Sequence, residues 1–154
     1  MNIISNLNER LTIVEGGVCH GGEDKVQKVL SQSPVKLPDD YIEFLKIISG
    51  DENLGIGFEV DGDGAEIYIW SAELSLENMN LEFNQPFNKD FLSCSWLIGD
   101  DLGGLVYFYG IGKEGFGLYR VSAGGLSYNY AKKIADSLTD FLVDGVGIDV
   151  AITL

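Results

Sequence analysis

Two cysteines, one histidine and three prolines are all that this chain of 154 residues carries of those types, and each scarcity excludes something. Cys19 and Cys94 are too few for a disulfide framework or a four-thiolate metal site. His20 would have to serve every hydrolytic or zinc chemistry alone; it adjoins Cys19, in Gly16-Gly-Val-Cys19-His20-Gly-Gly22, and adjacent side chains do not face each other productively. No apolar run approaches the roughly 18 residues of a membrane span. The start, Met1-Asn-Ile-Ile-Ser-Asn6, has neither the basic lead nor the sustained apolar stretch of an export signal. The expectation is a cytoplasmic chain with free thiols. Basic residues are scarce as well: ten Lys and Arg against 24 Asp and Glu leave a net charge of −14. Such a field repels phosphate backbones and anionic lipid, which argues against direct nucleic-acid or membrane-surface binding and favours a basic protein partner.

What is present is ordinary globular material, 45% hydrophobic and 11% aromatic. With no linker, repeat or block of like charge, residues 1–154 read as one domain. Val26, Val29 and Leu30 give Glu23–Leu30 a helical spacing, broken at Ser31-Gln-Ser-Pro34. Leu37-Pro38-Asp39-Asp40 starts a second helix, with proline and acids where a helix N-terminus favours them. Tyr41, Phe44, Leu45 and Ile48 continue it, and Ser49-Gly50 closes it. From Ile56 the period becomes two: Ile56, Phe58 and Val60, then Asp61-Gly-Asp63-Gly64 as a turn, then Ala65, Ile67 and Ile69. Glu66, Tyr68 and Trp70 take the opposite face of that second strand. Ser71 can cap a short helix carrying Leu74 coreward, to about Asn80. The stretch Glu82–Asp90 gives no assignment. Strands are expected at Ser95–Gly99, Gly104–Tyr109 and Phe116–Val121. A last helix is expected over about Tyr128–Val143, striped by Ala131, Ile134, Ala135, Leu138, Phe141 and Leu142 and ended by Gly145. The pattern predicts an α+β fold, with an antiparallel sheet of about five or six strands flanked by helices.

Motif-like segments mostly resolve into turns. Gly110-Ile-Gly112-Lys-Glu-Gly115 has dinucleotide-site spacing, but strand-like residues follow where a helix is required, so it reads as a hairpin and no cofactor is expected. Asp61-Gly-Asp63-Gly-Ala65 opens like a calcium loop. Ala65, Glu66 and Ala72 then stand where a carboxylate, a glycine and a glutamate are needed, so no metal is expected. Tyr68, Trp70, Tyr107, Tyr109 and Tyr119 either form an aromatic recognition face or complete the core. In Gly99-Asp100-Asp101-Leu-Gly103-Gly104, Asp100 and Asp101 either hydrogen-bond turn amides or stand as recognition groups for a basic ligand.

Three motifs follow one another in order: Leu37-Pro38-x-x-Tyr41-x-x-Phe44-Leu45 with Ser49-Gly50, Leu97-Ile98-Gly99-Asp100-x-x-Gly103-Gly104-x-x-Tyr107, and Ile134-Ala135-Asp136-Ser137-Leu138-x-x-Phe141-Leu142. Together they resemble the SUKH superfamily, which takes in yeast cell-wall regulators of the Smi/Knr type and many bacterial proteins. The resemblance spans Leu37–Leu142; before it, the chain shares a helix ahead of the Leu-Pro. It implies an α+β fold without catalytic residues. For bacterial members it implies immunity proteins that neutralise toxins, often nucleases or deaminases, and for eukaryotic members regulatory interaction modules. A basic nuclease-type toxin suits a chain of this charge, which would be steered onto it electrostatically. The expected role is a non-enzymatic bacterial immunity protein; alternatives are a regulatory or scaffolding module, and a small-molecule binder or enzyme using the sheet cleft. Contact residues do not carry over from the family. Charge and aromatic placement select Asp61, Asp63, Glu66, Tyr68, Trp70, Asp100 and Asp101 as candidate partner-binding residues.

Overall fold

Alternating apolar residues and short turns produce one antiparallel sheet of seven strands, ordered in space as in sequence. The computed structural model describes residues 3–16, 23–48, 53–60, 63–83, 85 and 88–152. The strands are β1 (Leu11–Glu15), β2 (Asn53–Val60), β3 (Asp63–Trp70), β4 (Ser95–Asp100), β5 (Leu105–Gly112), β6 (Gly115–Ser122) and β7 (Lys132–Ala135). Helices α1 (Glu23–Gln32) and α2 (Asp39–Ile47) separate β1 from β2, and α3 (Ala72–Phe83) and α4 (Lys89–Leu92) separate β3 from β4. A π-helical turn at Thr139–Val143 and a short α5 (Ile148–Ile152) follow β7. The α+β reading holds, with one or two more strands than its pattern suggested.

The β2–β3 hairpin pairs from Asn53↔Trp70 to Val60↔Asp63, and Ile56↔Ile67 and Phe58↔Ala65 place the expected apolar face together. The glycine motif is a hairpin: Gly112 pairs with Gly115, and Gly115 takes φ +85°, open to glycine at little cost. Ser71 caps α3 by accepting the Leu74 N–H at 3.3 Å. The helix outruns its expected end, and it buries Ala72, Ser75, Leu76 and Met79 while Leu74 is only half-buried.

The expected final helix is corrected. Lys132–Ala135 is a strand on β6, and helical geometry begins at Leu138. The physical reason is a bulge: Leu118 pairs with Ala135 and Tyr119 with Lys133, leaving Ile134 as the extra residue. The bulge lets Ile134 and Ala135 be buried in succession, which breaks the strand period and mimics a helical stripe. Tyr109 Oη accepts the Leu138 N–H at 2.9 Å, and Asp40 Oδ2 accepts from Thr139 N and Oγ1 at 2.9 and 2.8 Å, tying α2 to the π turn. Gly145 does end the segment, at φ +77°.

Tyr107, Tyr109 and Tyr119 belong to the core, so of the two readings of the aromatics they take the packing one. The Tyr41 ring lies 5.4 Å from Tyr109, and Trp96 Nε1 donates to Tyr41 Oη at 3.3 Å. Burial pushes the Tyr41 and Tyr109 hydroxyls well above the ordinary phenol range.

One junction is thin. β3 and β4 pair at Tyr68↔Asp100 and Ile69↔Gly99, and a Cβ on Gly99 would collide with the Tyr68 carbonyl. Gly99→Ala is therefore expected to cost about 1–3 kcal/mol or more, read as a lower urea midpoint at unchanged slope.

Candidate functional site: an open acidic sheet face

Glycines set the floor of the site. Gly55 and Gly57 alternate with Ile56 and Phe58 on β2, so where the apolar residues face the core the glycines face outward. A Cβ on Gly57 would lie 3.0 Å from Val14 Cγ1 and 3.4 Å from Thr12 Oγ1. One on Gly55 would lie 3.0 Å from both Glu15 Cβ and the Tyr68 ring. Thr12, Val14, Glu15 and Tyr68 therefore lie over bare backbone on one side of the sheet. Glu66 pairs with Gly57, and Asp100 with Tyr68, so both join the same face. Thr12, Glu15 and Glu66 are exposed, Val14 is 49% exposed, and Tyr68, Asp100 and Asp101 are half-buried.

Its electrostatics are one-signed. Tyr68 Oη donates to Glu66 Oε2 at 2.6 Å. That bond, with the charges of Glu66, Glu15 and Asp100, raises the Tyr68 pKa. Desolvation raises the Asp100 pKa, Asp101 adds to it, and the Leu102 N–H partly offsets both. Asp100 Oδ1 is buried without a hydrogen-bond partner. Among the described residues the ion pairs are Arg10–Asp149, Lys46–Glu43 and Lys133–Asp136; none neutralises Glu15, Glu66, Asp100 or Asp101.

The raised Asp100 pKa has a definite sign. The folded state holds that proton more tightly than the unfolded chain, so the residue's contribution to stability falls as pH rises through the ordinary carboxylate range to the shifted value. Asp100→Asn is expected to be at least as stable as the parent at neutral pH, with its advantage shrinking on acidification. Unfolding midpoints of both proteins, taken from neutral pH down to about 3, check this.

One residue of the Asp pair takes the turn reading. Asp101 is a turn cap: its Oδ1 accepts the Gly103 and Leu105 N–H groups, each at 2.8 Å. That loop holds Leu102 at φ 58°, a left-handed conformation that costs a non-glycine residue energy, and leaves it 72% exposed. Trp70 lies beneath the face rather than on it, 6% exposed. With Leu97, Val106, Leu126, Glu82 and Asp100 it lines a cleft of about 150 Å³. The backbone of Asp63 pairs with Val60, while Asp61, Cys19 and His20 lie outside the described residues. Sequence reasoning missed Thr12, Val14 and Glu15, because β1 is short and too exposed to show an alternating pattern. The signal available was Gly55-x-Gly57, since glycine at alternate strand positions marks a close approach.

Among the described residues, no group of three His, Cys, Asp or Glu side chains converges as a metal site, and no helix is long and apolar enough to cross a membrane. Cys94 is a free thiol.

Glu15, Glu66, Asp100 and Asp101 thus stand on or beside one open face of the sheet. The SMI1 / KNR4 family (SUKH-1) model matches residues 22–144, and the chain belongs to this family. No curated protein and no solved structure matches the chain. Membership supports immunity or Smi/Knr-type regulatory roles exercised through other proteins, in a family that is generally non-enzymatic.

Proposed function

We propose that this chain is a bacterial immunity protein, a single cytoplasmic domain over residues 1–154, that binds and neutralises a basic toxin of the nuclease type without catalysis. The observation that carries this reading is the set of Glu15, Glu66, Asp100 and Asp101 on or beside one open face, none of them in an ion pair among the described residues. Holding like charges together costs stability that a partner's lysines and arginines return on binding. A toxin that grips phosphate needs such cations, and carboxylates that engage them displace the substrate by charge-assisted hydrogen bonds. Tyr68, Val14 and Leu102 give the face apolar contact area among its charges. Asp61 and Asp63 extend the proposed contact to the β2–β3 turn.

The test is capture of tagged protein from cultures of its host, at low and moderate salt. The expected product is one basic polypeptide, held less tightly as salt rises, that kills cells unless this chain is co-expressed. Recovery of resident signalling or envelope proteins instead would replace the immunity reading with a regulatory one, which the same family membership supports.

A further inference from the structure

The opposite side of the sheet carries a cationic feature that the acidic face does not use. Cross-strand pairing aligns Tyr107 on β5, Arg120 on β6 and Lys132 on β7, so their side chains share a face. Helix α5 lies over them. Tyr107 Oη donates to the Ala151 carbonyl at 2.7 Å, and Arg120 Nε donates to the Val150 carbonyl. Arg120 is 5% exposed.

A guanidinium this buried needs acceptors for five N–H groups and a compensating negative charge. Among the described residues Arg120 makes no ion pair, and the bond from Nε to Val150 is its one hydrogen bond. Its two Nη groups have no protein acceptor there and are not sealed from solvent, so they are open to a ligand. Arg120 lines a cavity of about 240 Å³, with Lys132, Asp149 and Val150. Lys132 is exposed and brings a second positive charge to the rim. The Asp149 carboxylate, also at the rim, pairs with Arg10 at 3.4 Å. Capping the end of α5 occupies Nε and leaves the two Nη groups available.

We propose that this cavity binds a small molecule through an oxyanion, a phosphate or carboxylate group, held between the Arg120 guanidinium and the Lys132 ammonium. Two parallel Nη–H donors match two oxygens of such a group, and the lysine adds a point charge. The site shares no residue with the acidic face, so its occupancy and partner binding are separable.

Thermal unfolding of the whole chain in inorganic phosphate, in acetate and in chloride, at matched ionic strength, tests it. Phosphate is expected to raise the midpoint saturably, as a ligand of the native state does, while chloride does not. Because Arg120 also holds α5, the informative variant is the exposed Lys132→Gln, expected to fold normally and to weaken phosphate roughly tenfold. Acetate acting like phosphate would assign a general oxyanion site, and phosphate acting alone a phosphoryl site. Stabilisation by phosphate no greater than by chloride, or a phosphate response unchanged in Lys132→Gln, would overturn the proposal.

Discussion

Phe108→Ala is expected to remove about 3–5 kcal/mol of stability, the range for truncating a buried aromatic to alanine. Phe108 sits mid-strand on β5, fully buried, with its ring 4.8 Å from Phe91, 5.6 Å from Tyr119 and 5.8 Å from Tyr128. These neighbours belong to α4, to β6 and to the segment leading into β7, so one deletion unpacks three connections at once. Rigid strands on two sides limit collapse of the resulting cavity, which places the cost toward the upper end. Against a usual total of about 5–15 kcal/mol, the variant would stand near its unfolding threshold. Urea denaturation reads the loss as a fall in midpoint. Leu81→Ala, on an exposed helical position, is the control and is expected to stay within about 0.5 kcal/mol of the parent.

The second large effect concerns binding. Glu15→Lys combined with Glu66→Lys reverses two exposed charges on the proposed contact face while touching no buried group. Each reversal removes an attraction and adds a repulsion, so the pair is expected to weaken the toxin complex roughly 100-fold at low salt. Much of the loss should appear as slower association, and it should shrink as salt screens both proteins. Glu23→Lys with Asp24→Lys, in the first turn of α1 rather than on the sheet, makes the same change in net charge. If that variant weakened binding equally, net charge rather than the face would be responsible.

The fold was largely readable where period and turn chemistry agree. Tyr41, Phe44 and Leu45 marked α2, Ile56 to Ile69 marked the first hairpin, and Gly112 and Gly115 marked the second. It was misread where a long-range pairing overrides local period. Ile134 and Ala135 are both buried because β6 accepts a bulged strand, which no local window contains. β1 and α5 escaped notice for a related reason: five residues each give too little pattern, and their places come from pairing with Phe58 and from carbonyls held by Tyr107 and Arg120. Within the candidate face, Glu66 and Tyr68 could be selected because alternation fixes which side of a strand a residue takes, and Asp100 because it is a carboxylate beside a glycine turn. Trp70 shares that alternation yet is buried, since α3 begins two residues later and the strand runs under it. Glu15 could not be found at all without the register of β1 on β2.

Amide hydrogen exchange of the chain alone and with its captured toxin tests the central claim most directly. The account predicts added protection over Leu11–Glu15, the β2–β3 hairpin and the Asp100–Gly104 loop. Protection confined to the outer surface of α1 and α3, with those segments unchanged, would contradict it.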